Sequence, residues 1–174
     1  MRTLKKTLLV LCGLLLMPLM HNAQDAEVTL DFENAATANE LIQNYIQGLK
    51  DGDVAKMSAQ LDENAMLYGL GGGLDSLNVS QHMQFWTDNF SSNEHSITNE
   101  AYLPVKVTNA WNEGEWVLVW GTNTVTDKEG KNTVTIPYHN ACFIVNGKIA
   151  RIHYYYDNLN IMTAQGFTLT PPSK

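Results

Sequence analysis

Fifteen positions separate His139 from Tyr154, and an Asn146-Gly147 pair lies midway between them. An imidazole that titrates near neutrality and a phenol can together take up a proton, donate a hydrogen bond or polarise a carbonyl. Whether they meet depends on the corner between them. Asn-Gly flanked by runs of strand formers signals a two-residue hairpin turn, which sets Val145 against Lys148, Ala141 against Ile152 and His139 against Tyr154. Opposed residues share a face of the sheet, so His139, Phe143, Ile152, Tyr154 and Tyr156 are expected together. The other face then carries Tyr138, Asn140, Cys142, Ile144 and Ile149 beside Arg151, His153 and Tyr155. The first face is the more apolar, so it is the predicted inner one. His139 is thereby expected in a hollow shared with two phenols, an arrangement typical of ligand pockets.

Other residues are candidates for the wall of such a hollow. Trp86 lies on the apolar stripe of a helical segment, and Trp120 shares a strand face with Trp116. Tryptophans in a domain of this size either fill the core or line a ligand site. Tyr68 stands just before the run Gly71-Gly72-Gly73 and is expected at the pocket rim. That run lacks the Lys-Ser/Thr ending of a phosphate loop and reads as a turn, with Asp75 as a turn residue. The five histidines show no HExxH or HxxxH spacing, and His139 and His153 fall on opposite faces of their hairpin. No metal or cofactor is expected. A nucleophilic serine elbow is missing from the sequence, and Cys142 sits among apolar neighbours as a small hydrophobe.

The elements that must position these residues follow from periodicity. Leu41, Ile42, Tyr45, Ile46 and Leu49 form one stripe of a helix over 38–50. Asp51-Gly52-Asp53 ends it, and Asp53 can cap a shorter helix reaching about Leu61. A short strand 65–68 and a third helix 79–90 come next. The pattern then changes to strands over 97–108, 115–126, 133–145 and 148–156, with turns at 127–130 and 146–147. Helices followed by a meander of long strands indicate an α+β fold: a curved antiparallel sheet wrapped around three N-terminal helices, leaving one pocket.

The start of the chain reads separately. Arg2, Lys5 and Lys6 precede an apolar run from Thr7 to Met20, too short for a membrane span and suited to a secretory signal peptide over residues 1–23. Export to the periplasm or medium is the corresponding expectation. Residues 24–33 form a polar lead, 34–168 one domain and 169–174 a flexible tail. The formal net charge of −7 and the lack of a basic cluster argue against nucleic-acid and anionic-membrane partners.

The order of elements, the segments QNYIQGLKDGD (residues 43–53) and VNGKIARIHYYYD (residues 145–157), and Gln165-Gly166 together resemble the SnoaL-like group of the nuclear transport factor 2-like superfamily. The resemblance spans about Asn34 to Gly166. It implies a cone: a bent sheet around three helices with a pocket at the open end. Among its members are polyketide cyclases, ketosteroid isomerase and limonene-epoxide hydrolase. By similarity to the isomerase, Tyr45 matches its first-helix tyrosine, and Pro137-Tyr138 leads into His139 at its protonated acid. The isomerase's general base would fall near Gly69, which has no group to take a proton, so that activity is not expected. By similarity to the cyclases, Asp157 at the end of the last strand is a further candidate base, set against a capping role.

Two readings stay open on this basis. One is an exported pocket protein that binds a small apolar or aromatic molecule. The other is a lyase, isomerase or hydrolase using Tyr45 and His139 to polarise a carbonyl. The apolar outer hairpin face is expected to pair two copies of the chain as a homodimer.

Overall fold

A computed structural model of the chain describes residues 26–71, 75–130 and 132–170. The proposed signal peptide, most of the Gly-rich turn and the end of the tail lie outside these residues. Helix α1 (Ala35–Asp51) buries Ile42, Tyr45, Ile46 and Leu49 of the stripe read from the sequence, with Ala38 added and Leu41 only half-buried. Asp53 caps α2 (Val54–Ser58) by accepting a hydrogen bond from the Lys56 amide. Helix α3 (Val79–Ser92) opens on a capping box between Asn78 and Gln81 and buries His82 and Trp86.

In chain order the strands are β1 (Glu27–Thr29), β2 (Leu61–Tyr68), β3 (Ser76–Asn78), β4 (Asn93–Thr108), β5 (Gly114–Asp127), β6 (Thr133–Val145) and β7 (Lys148–Tyr156). They form one sheet in the order β1-β4-β5-β6-β7-β2-β3. The sheet is mixed, not antiparallel throughout, because β2 returns alongside β7 in the same direction. β1 lies in the polar lead and extends the edge of the sheet against β4. A fourth helix, α4 (Asn158–Ala164), follows β7 and touches β6.

The helices cover one face of this sheet. Val117, Val119, Cys142, Ile144, Ile149 and Ile152 supply the sheet's share of that core. The opposite face carries a smaller cluster in which Val105, Val107 and Trp116 pack with Phe143 and Ala141.

The β6–β7 hairpin departs from the simple register at one point. Its corner is as read from the sequence: Val145 opposes Lys148, Ile144 opposes Ile149, and Asn146 and Gly147 both have positive φ. Beyond Ile144 the register shifts by one residue at Ala150, so Phe143 opposes Arg151 and Asn140 opposes Tyr154. This β-bulge turns Ile149 and Ile152, three positions apart, both into the core, where each is fully buried. It carries Ile152, Tyr154 and Tyr156 of β7 from the face of His139 to the face of Tyr138, Asn140 and Cys142, and this second set, expected outside, is the inner one. Tyr138, Asn140, Cys142 and Ile144 point to the helices, whereas His139, Ala141 and Phe143 point away.

Candidate functional site

Between the C-terminal half of α3, the near ends of β4 to β7 and α4 lies a cavity of about 300 Å³. Its apolar wall comes from Leu49, Leu70, Phe85, Val125, Ile136 and Ile161. Among the described residues that line it, none is Lys or Arg, and Asp127 is the single carboxylate. A neutral, mostly apolar guest suits such a wall.

A compact polar cluster backs the cavity. The Tyr45 and Tyr154 hydroxyls lie 2.5 Å apart, and they stand 2.9 and 3.2 Å from His82 Nε2. Trp86 Nε1–H donates to the same nitrogen over 3.0 Å. Burial pushes the His82 pKa down to about 4, so the ring is neutral at pH 7. Burial likewise holds both phenols well above their ordinary range. A neutral imidazole has one nitrogen lone pair, and the indole N–H, which can only donate, assigns it to Nε2. The proton is therefore on Nδ1, which is buried and has no partner among the described residues.

Three donors thus converge on one lone pair. One phenol can donate to the other, and one hydroxyl proton is left over. Tyr45 is sealed at 1% exposure while Tyr154 lines the cavity. Donation from Tyr45 to Tyr154 leaves the Tyr154 hydroxyl free to donate to an oxygen in the cavity.

The remaining polar wall divides into groups already engaged and groups left open. His95 bonds Asn89 through Nε2 at 2.7 Å and accepts from Asn123 at Nδ1 over 3.0 Å, and burial lowers its pKa. With both nitrogens occupied it is not a free base. Tyr156 donates to the Leu70 carbonyl at 2.6 Å. The Tyr138 hydroxyl is buried without a partner, its ring lying so close over Gly121 that a Cβ there would stand 2.6 Å from the oxygen.

The structure brings together Tyr45, Trp86, Tyr154 and Tyr156 of the residues singled out from sequence, and it separates the rest. Ile152 is core beneath the site. His139 is on the outer face, its Nδ1 3.0 Å from the Val119 carbonyl and its ring stacked on Trp120 at 4.9 Å. β6 alternates without interruption, so His139 shares the outer face with Phe143, and the bulge at Ala150 of β7 moves Ile152 and Tyr154 to the opposite, inner face. Trp120 and Phe143 are on the outer face too, Phe143 against Trp116 and under the Arg151 guanidinium. Tyr68 stacks on His153 at 4.8 Å and does not rim the cavity. Asp157 is exposed and caps α4 by accepting from the Asn160 amide.

Gly69 has φ of +91°, and a Cβ would lie 2.6 Å from the Tyr154 carbonyl oxygen. A side-chain base therefore has no room at that position. His82 and His95 were not singled out from sequence as site residues, and Asn140, expected on the outer face, lines the cavity instead. For His82 the signal was its four-residue spacing from Trp86 on the same helix face. Among the described residues no group of three His, Cys, Asp or Glu is placed to hold a metal ion, and no helix is long and apolar enough to cross a membrane.

A cone of this topology, with its pocket walled by the sheet and α3, can be compared with solved structures. One neighbour is a candidate polyketide cyclase from Xanthomonas campestris, 19% identical, spanning 76% of this chain and 98% of its own, with a TM-score of 0.63. Another, from Burkholderia xenovorans, is a nuclear transport factor 2-like protein, 17% identical over 74% of this chain and 95% of its own at a TM-score of 0.58. The chain has the nuclear transport factor 2-like fold. A third structure with this nuclear transport factor 2-like architecture is an epoxide hydrolase from M. tuberculosis, 12% identical over 74% of this chain and 89% of its own, with a TM-score of 0.58. No protein-family model matches the sequence. No curated protein does either.

Proposed function

We propose that this chain is a SnoaL-like pocket protein that binds a small, neutral, largely apolar molecule through a carbonyl-type oxygen. The surplus hydroxyl proton of the Tyr45–Tyr154–His82 cluster carries the reading, because a buried donor without an acceptor is costly and a guest oxygen relieves it. Binding is favoured over turnover. Gly69 excludes a side-chain base, His95 has both nitrogens engaged, and the His82 lone pair already receives the Trp86 N–H. Titration of the protein with 2-tetralone, a bicyclic ketone, followed by tyrosine and tryptophan NMR signals, tests this. Saturable shifts at Tyr154 and Trp86 are expected, and their absence at millimolar ketone would overturn the proposal.

The basic-then-apolar start of the sequence supports export of this domain, which cell fractionation checks directly. We also infer a homodimer through the outer sheet face. Its basis is a ladder of near-parallel rings, Trp120, His139, Tyr155, His153 and Tyr68, across four strands, with Trp120 41% and Tyr155 55% exposed. The apolar groups assigned to this interface from sequence, Tyr138, Cys142, Ile144 and Ile149, face the core instead and take no part.

A further inference from the structure

We propose that Asn140 is a second reading point in the cavity, selecting guests with a neutral donor–acceptor edge of the lactam type. This deepens the pocket-binding reading and rests on it. Asn140 lies between Val119 on β5 and Tyr154 on β7, points to the cavity, and is 4% exposed. Carboxamides enclosed to this degree are nearly always paired inside a protein. No side-chain hydrogen bond ties this one to any described residue, and it lines the cavity, whereas the Tyr138 hydroxyl at the next inner position is sealed without a partner. Asn140 faces Tyr154, the cavity-lining member of the Tyr45–His82 cluster, across the β6–β7 pair.

The chemistry of the amide decides what fits. Whichever way the carboxamide is turned, it offers N–H donors at one end and a carbonyl acceptor at the other. An anion would use only the N–H end, a cation only the oxygen. With no Lys or Arg among the described lining residues, an anion would also find no counter-charge. A ring N–H beside a carbonyl satisfies both ends at once, and the Tyr154 hydroxyl on the facing strand can add a second donor to that carbonyl.

The test compares 3,4-dihydro-2-quinolone with 2-tetralone, which share a skeleton and differ by N–H against CH2 beside the carbonyl. Calorimetry on the full chain is expected to show the lactam bound at least tenfold more tightly than the ketone. Asn140→Leu should abolish that preference by weakening the lactam while retaining the ketone. Should the leucine variant fail to fold, Asn140→Thr is expected to reduce the preference in the same direction. Equal affinities in the unmodified protein, or a preference that survives substitution, would overturn the inference and leave ketone binding standing. Binding of neither compound would overturn the pocket reading and this inference with it.

Discussion

Replacing His82 by Gln offers a quantitative test of the buried cluster through acid stability. The imidazole is 1% exposed and its pKa is pushed down from 6.5 to about 4 by desolvation. Because the folded-state value is depressed, the unfolded chain binds a proton between pH 6.5 and 4 that the folded chain does not. Stability must therefore fall as pH drops through that window and level off, for this group, below about 4. Integrated from pH 7.5 to pH 5, the loss from His82 alone is about 2 kcal/mol. His95 and His153 are also lowered by burial and act in the same direction, so the informative quantity is a difference between proteins. Urea unfolding of wild type and His82→Gln at both pH values is the assay. The variant should lose about 2 kcal/mol less than wild type on acidification. Nitrogen NMR of the wild-type ring should also find the Nδ1–H tautomer across the neutral range. Equal acid sensitivity of the two proteins, or an imidazole titrating near 6.5, would refute the reasoning.

Three further outcomes follow from the same geometry. Gly69→Asp, which would restore a carboxylate at the isomerase's base position, should destabilise the fold by about 2 kcal/mol or more, seen as a lower Tm, because of the positive φ and the Tyr154 carbonyl. It should yield no steroid enolisation. Gly121→Ala should push the Tyr138 ring off its seat, costing about 1–3 kcal/mol in urea unfolding and weakening ketone binding severalfold. Trp120→Ala combined with Tyr155→Ala should convert dimer to monomer in light scattering while circular dichroism shows the fold retained, since both side chains are substantially exposed on the single chain.

The helices and long strands were legible because their periodicities are plain: the Tyr45 stripe on α1, the Asn-Gly corner, and β6 and β7 to the residue. The face of β6 was not. Strict alternation carried outward from the corner groups His139 with Ile152 and Tyr154 and makes theirs the more apolar face, whereas the single extra residue at Ala150 of β7 parts them and leaves His139 outside. A trace of the bulge does exist in the sequence. Ile149 and Ile152 are three apart and cannot both reach one core from a regular strand. The parallel β2–β7 pairing left no local mark, because it depends on where the chain returns after α2. His82 and Asn140 were hidden for a similar reason: a polar residue on an apolar face becomes informative only once its partners, or their absence, are known.

The claim on which the account rests is that the inward residues Tyr154 and Asn140 read the guest, while His139 stands outside. The measurement that reaches it most directly is 2-tetralone affinity in Tyr154→Phe beside His139→Ala. Loss of the Tyr154 hydroxyl should weaken binding about tenfold, the equivalent of one hydrogen bond to a carbonyl, and His139→Ala should bind as wild type does. Full affinity in Tyr154→Phe together with loss in His139→Ala would contradict the bulged register and the site built on it.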